Sequence, residues 1–160
     1  MTRDEVGEAT AEAVVAAEQL AAHLDRLAGR IAGWMPVDAP ALATWDDDRR
    51  ERLHALLRMF DQLYDLATRK LIRALLFLSG ETIAGLSAQN QFRRAEAIGG
   101  LPSADRWIEL GATRNVLAHD YPTNAAVQAQ RLNRAWADLP ALLDGVRNLL
   151  SHIETEGLLS

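Results

Sequence analysis

Apolar residues recur along this chain at alternating spacings of three and four, the period of a helix with one buried face. Leu20, Leu24, Leu27, Ile31 and Trp34 make such a seam, so residues 5–33 read as one long helix. Upstream of Leu20 the segment is mostly alanine and glutamate, with only Val14 and Val15 as larger apolar residues. That half is expected to pack weakly or to project. Met35–Pro36–Val37–Asp38–Ala39–Pro40 is a break, with two prolines bracketing a turn-prone aspartate. Asp46, Asp47 and Asp48 suit a helix start, since one can cap while the others meet the positive end of the dipole. The helix they open is expected over about 47–79. Leu53, Leu57, Phe60, Tyr64, Ala67, Leu71, Ala74, Leu75 and Leu78 form its face, and Gly80 its stop.

Ser87 to Ile98 predicts a shorter helix, with Phe92 and Ala95 inward and Arg93 and Arg94 more exposed. Gly99–Gly100–Leu101–Pro102 is a turn. Ser103 caps a helix over about 104–120, with Arg106 where a capping box would place Glu. Thr123 or Asn124 caps the last helix. Val127, Leu132, Trp136 and Leu139 precede Pro140, which is expected to kink or divide it. No repeat, low-complexity tract or second domain is visible. The expectation is an all-α, up-and-down bundle of four to five helices in one domain over 1–160. Residues 1–40 supply the first helix and the break, and 46–156 the bundle.

Alanine, leucine, arginine and glutamate dominate and β-branched residues are few, which favours helix. The chain has no cysteine, so neither disulfides nor thiolate metal sites are possible. The longest apolar run, Ala74–Leu75–Leu76–Phe77–Leu78, is far too short for a membrane span. The start lacks the basic and apolar regions of a signal peptide, so a cytoplasmic location with no membrane contact is expected. A formal net charge of −5 argues against a nucleic-acid coat protein but leaves room for a local basic cleft.

The most informative stretch is Glu109–Leu110–Gly111–Ala112–Thr113–Arg114–Asn115–Val116–Leu117–Ala118–His119–Asp120–Tyr121–Pro122. On a helical projection Leu110, Gly111, Leu117 and Ala118 share an apolar face with Trp107, and Arg114 falls in the middle of it. A guanidinium there is costly unless it is paired or opens onto a cleft. Asn115 and His119 are four apart and adjoin. Pro122 disfavours helical geometry at Tyr121 and ends the helix there. Four polar or ionisable groups thus gather at one helix terminus. Asp61, Asp65 or Thr68, beside the face of the long second helix, are candidates to fix the Arg114 fork. His23, His54 and His152 lie on separate helices without metal-ligand spacing, so no metal or cofactor is expected.

Arg114–Asn115–Val116–Leu117–Ala118–His119–Asp120–Tyr121 resembles the signature of the HEPN superfamily: an Arg, a polar residue, a His a few residues on, then one residue and a Tyr. It is most similar to HepT-type toxins paired with MntA-type nucleotidyltransferase antitoxins. Phe60–Asp61–Gln62–Leu63–Tyr64–Asp65 is similar to their second-helix region, and the resemblance covers roughly residues 50–155. It implies a HEPN-type bundle whose homodimer brings two signatures face to face. For many members it implies metal-independent RNA cleavage. Others are inactive or serve as nucleotide-binding or scaffold domains. It further implies that a cognate nucleotidyltransferase attaches AMP to the Tyr121 hydroxyl, which would neutralise the cleft and block RNA.

The residue types suit that chemistry. A histidine titrates near neutral pH, so His119 can give or take the proton of a ribose hydroxyl or leaving oxygen. Arg114 keeps its charge and its planar fork matches phosphate oxygens. One chain has one such His, whereas a twofold pair would place two His and two Arg in one cleft. Arg114 and His119 lie about 140° apart around an ideal helix, so Arg114 must curl toward the helix end or a second copy must supply the complement. Asn115 is expected to orient His119 or hold a phosphate oxygen. Tyr121 is alternatively a base-stacking platform. The competing readings are a non-catalytic module that binds a nucleotide or docks a nucleotidyltransferase, and a purely structural bundle. In the last, Arg114→Leu would keep or raise stability.

Overall fold

Every helix expected from the apolar period is present, and among the described residues there is no strand. The computed structural model describes residues 2–118 and 123–159. Helix α1 (Arg3–Ile31) starts at a capping box, in which Thr2 accepts from the Glu5 N–H and the Glu5 carboxylate accepts from the Thr2 N–H. A 3₁₀ turn (Ala32–Trp34) and the break lead to the short α2 (Ala39–Ala43), capped by Asp38. Asp46 caps α3 (Asp47–Leu66), with Asp47 and Asp48 in its first turn. Helix α4 (Arg73–Leu78) continues it and ends at Gly80, whose φ of 83° only glycine adopts readily. Ser87 caps α5 (Ala88–Ala97), Ser103 accepts from the Arg106 N–H at the start of α6 (Ala104–Ala118), and Asn124 caps α7 (Ala125–Thr155).

The core lies where α1, α3, α4, α6 and α7 meet, filled by Leu24, Phe60, Leu71, Leu75, Trp107 and Leu110 among others. Burying each large aliphatic or aromatic side chain contributes about 1.5–3 kcal/mol. A smaller cluster of Val37, Leu42, Trp45, Leu53, Ala129 and Leu132 sits under α2. Asn133 of α7 pins the break there, accepting from the Val37 N–H at 2.8 Å and donating to its carbonyl at 2.7 Å. Among the described residues no helix is long and apolar enough to cross a membrane.

Several expectations are corrected or narrowed. The first half of α1 does not project: Ala13, Ala17 and Ala21 are buried against α3 and α4. Alanines bury little area each, but they let helix backbones approach closely, which an apolar-residue count misses. The helix expected over 47–79 is interrupted by a π-helical segment, Ala67–Ile72, which inserts one extra residue into the register. Of the two outcomes expected at Pro140, a kink or a division, the division is absent: α7 runs through it as one helix. The neighbouring helices hold Leu139, Leu142 and Leu143 in the core on either side. Val127, grouped with the apolar residues of α7, is instead 37% exposed.

Candidate functional site

Helix α6 carries Arg114 toward α3 because the two helices approach closely along one line. Tyr64 of α3 stacks on Trp107 of α6, with ring centroids 5.1 Å apart, and its hydroxyl donates to the Trp107 carbonyl at 3.3 Å. Gly111 makes this possible, since a Cβ there would lie 2.5 Å from the Tyr64 hydroxyl oxygen. On the other side of Trp107, Gly145 of α7 leaves room for the indole ring. Burial is the main cause that pushes the Tyr64 phenol above its usual range, so it stays neutral at ordinary pH.

One turn beyond Gly111, Arg114 is a half-buried cation with two carboxylates. Its Nη2 donates to Asp65 Oδ2 at 2.8 Å. Its Nε lies 2.7 Å from Asp61 Oδ1, but the N–H is not aligned with that oxygen, so the contact is an ion pair without a well-formed hydrogen bond. The side chain of Arg114 is 22% exposed and those of Asp61 and Asp65 are 35% and 32% exposed, so water reaches this cluster from one side. The hydrogen bond to Asp65, with the Asp61 charge behind it, holds the guanidinium more firmly protonated than a free arginine. Its Nη1 reaches Asn115 Oδ1 only at 3.5 Å, which leaves that edge of the fork the least committed.

Two of the three candidate residues, Asp61 and Asp65 of α3, thus meet Arg114. Thr68 is the third, and its hydroxyl accepts the Trp107 indole N–H at 3.0 Å instead. It holds the ring that spaces α6 from α3. Asn115 is exposed on the solvent side of α6. His119 and Tyr121 lie outside the described residues. Helix α6 is described as far as Ala118, immediately before them.

A second polar group, with no counterpart in the sequence reading, fastens α6 to α7. Asp138 of α7 accepts from Arg106 Nη2 at 2.8 Å and from the Thr113 hydroxyl. The Thr113 hydroxyl in turn accepts from Arg134 Nε at 2.9 Å. Thr113 is fully buried, so this bond satisfies a hydroxyl that would otherwise cost on the order of 1–3 kcal/mol. The signal was available, because Asp138 is a lone carboxylate between Trp136 and Leu139 on the apolar side of α7. Chemically, the arrangement fixes an arginine, one residue after a pinned threonine, at the edge of a water-exposed surface that leads to the end of α6.

The comparisons leave this geometry to stand alone: no family model, curated protein or solved structure matches the chain.

Proposed function

We propose that the protein is a metal-independent endoribonuclease of HEPN type, acting as a homodimer, and the toxin of a toxin–antitoxin pair. The observation that supports this most is the double-carboxylate hold on Arg114, a cation kept charged and oriented five residues before His119. In the proposed reaction His119 of one copy removes the proton of the ribose 2′-hydroxyl. The oxygen attacks the adjacent phosphorus, and the 5′-oxygen leaves with a proton from His119 of the second copy. Arg114 faces the charge that builds on the non-bridging oxygens. Asp61 and Asp65 act through Arg114 as positioning residues, and Asn115 orients the imidazole or a phosphate oxygen. Tyr121 is the stacking platform or, with an MntA-like nucleotidyltransferase antitoxin as partner, the hydroxyl that receives AMP.

The test is cleavage of a long single-stranded RNA in excess EDTA. Wild type is expected to cut, and His119→Ala to lose about 10²-fold or more of the rate, the usual worth of a proton-transfer group. Cleavage that needs a divalent cation, or that persists in His119→Ala, would overturn the mechanism.

A second reading is favoured by the local charge. Two carboxylates and one guanidinium leave the cluster net negative, which weakens its pull on phosphate. The protein would then be a non-catalytic HEPN module that binds a nucleotide or docks a nucleotidyltransferase. Nucleotide binding without RNA turnover by the purified protein would select it.

A further inference from the structure

The Asp61–Arg114–Asp65 cluster is net negative, so a phosphate drawn to it needs cations from elsewhere. Helices α3 and α6 run antiparallel: Thr68 meets Trp107, Tyr64 lies against Gly111, and Asp61 meets Arg114. Residues of α3 before Asp61 therefore stand level with residues of α6 after Arg114. Arg58 is a cation placed there. It lies seven residues, two turns, before Asp65, so it shares the flank from which Asp65 reaches Arg114. Its side chain is exposed and forms no ion pair or hydrogen bond with a described residue.

On the other side of α6, α7 presents Arg134. Its Nε donates to Thr113 Oγ1 at 2.9 Å, which fixes the stem beside the residue that precedes Arg114. Arg134 is exposed, and its two terminal nitrogens bond to no described residue. The neighbouring carboxylates are already engaged, Asp61 and Asp65 with Arg114, and Asp138 and Glu109 with Arg106. Two guanidinium forks are thus left over, one on each side of the helix that carries the motif, with exposed Asn115 between them. A helix with its side chains is about 10–12 Å across, so no single phosphate touches both forks. The pair fits an anion whose charges repeat along a chain.

We propose that Arg58 and Arg134 are phosphate-binding residues for a single RNA strand that crosses the C-terminal half of α6. The inference rests on the ribonuclease reading above and deepens it. The strand passes Arg58, Arg114 and Arg134 in turn, and the phosphate at Arg114 is the one that is cut. The outer phosphates supply the attraction that the Arg114 cluster lacks. Forks on phosphates read no base, so this track holds RNA without regard to sequence. A dinucleotide has one phosphate between its sugars and reaches neither outer fork from Arg114.

Fluorescence anisotropy of the full chain with 2′-O-methyl oligonucleotides tests it, since a blocked 2′-hydroxyl prevents cleavage during the titration. Wild type is expected to bind a decamer far more tightly than a dinucleotide. Each phosphate held on a single strand contributes about 0.7 to the fall of log affinity with log salt. Arg58→Gln and Arg134→Gln are each expected to lower that slope by about 0.7 and to weaken decamer binding about three- to tenfold. Arg26→Gln, which removes an exposed cation of α1, is expected to change neither. Arg134 also touches Thr113, so thermal unfolding accompanies its variant; Arg58→Gln removes no contact and carries the test if Arg134→Gln is unfolded. Unchanged affinity and slope in either folded variant, an equal loss in Arg26→Gln, or a wild type that binds the decamer no better than the dinucleotide overturns the track. His119-dependent cleavage would then leave the ribonuclease reading standing. Decamer binding through both arginines, without cleavage of unmodified RNA, removes the ribonuclease reading and leaves the track.

Discussion

Arg114 is the residue on which the account turns, and its surroundings change what a substitution there should do. An arginine in an apolar stripe suggests that leucine would be tolerated or preferred. The stripe is real, with Trp107 and Leu110 buried on it, but the guanidinium stands between Asp61 and Asp65. Arg114→Leu leaves these two carboxylates one turn apart with no cation, and like charges at that spacing repel. We expect it to lower stability by about 1–2 kcal/mol, below the cost for a fully buried pair because all three groups are partly wet. Urea unfolding checks this through the midpoint. Adding Asp61→Asn and Asp65→Asn should recover most of the loss. An unchanged or raised midpoint for Arg114→Leu alone would mean that the pair does not hold α6.

Among the elements, α6 is positioned by two different devices, and they were unequally legible. The contact with α3 could be anticipated in part, since Asp61 and Asp65 lie beside an apolar face and were candidates for the Arg114 fork. The role of Thr68 in holding Trp107 was not visible, because helical spacing places a residue on a face but does not choose between two neighbours. Nor was the anchor from Asp138 to Thr113 and Arg106, which depends on how α6 and α7 are set against each other. The π segment was hidden for a similar reason: its extra residue leaves the apolar pattern nearly intact while shifting everything after it. Gly111 gives the sharpest test at this scale. Gly111→Ala must displace the Tyr64 ring, which is stacked and hydrogen-bonded and cannot swing aside cheaply. A loss of about 1–3 kcal/mol, typical of overpacking, is expected by thermal or chemical unfolding. A neutral or stabilising substitution would show that α6 and α3 can separate without penalty, and that the Arg114 geometry is looser than described.

For the whole molecule, the helix pattern and caps made the all-α architecture readable almost element by element. Asp46, Ser87, Ser103 and Asn124 start helices as their side chains suggest, and Gly80 ends one. The alanine-rich half of α1 was misjudged because close helix packing depends on shape, and small side chains look weak to any count of apolar area. The proposed function rests on the arrangement of Arg114, Asn115, His119 and Tyr121, and in that proposal the chemistry takes more than one chain to complete. The most direct measurement of that requirement dilutes the active chain with an inactive one. His119→Ala alone is expected to cleave RNA at least about 10²-fold more slowly than wild type in EDTA. After wild type is co-refolded with an equal amount of His119→Ala, about a quarter of the dimers keep both histidines, so the rate is expected to fall to about a quarter of that of the same total amount of wild type. A rate near half, the result if each chain acts alone, would contradict a site shared between two copies.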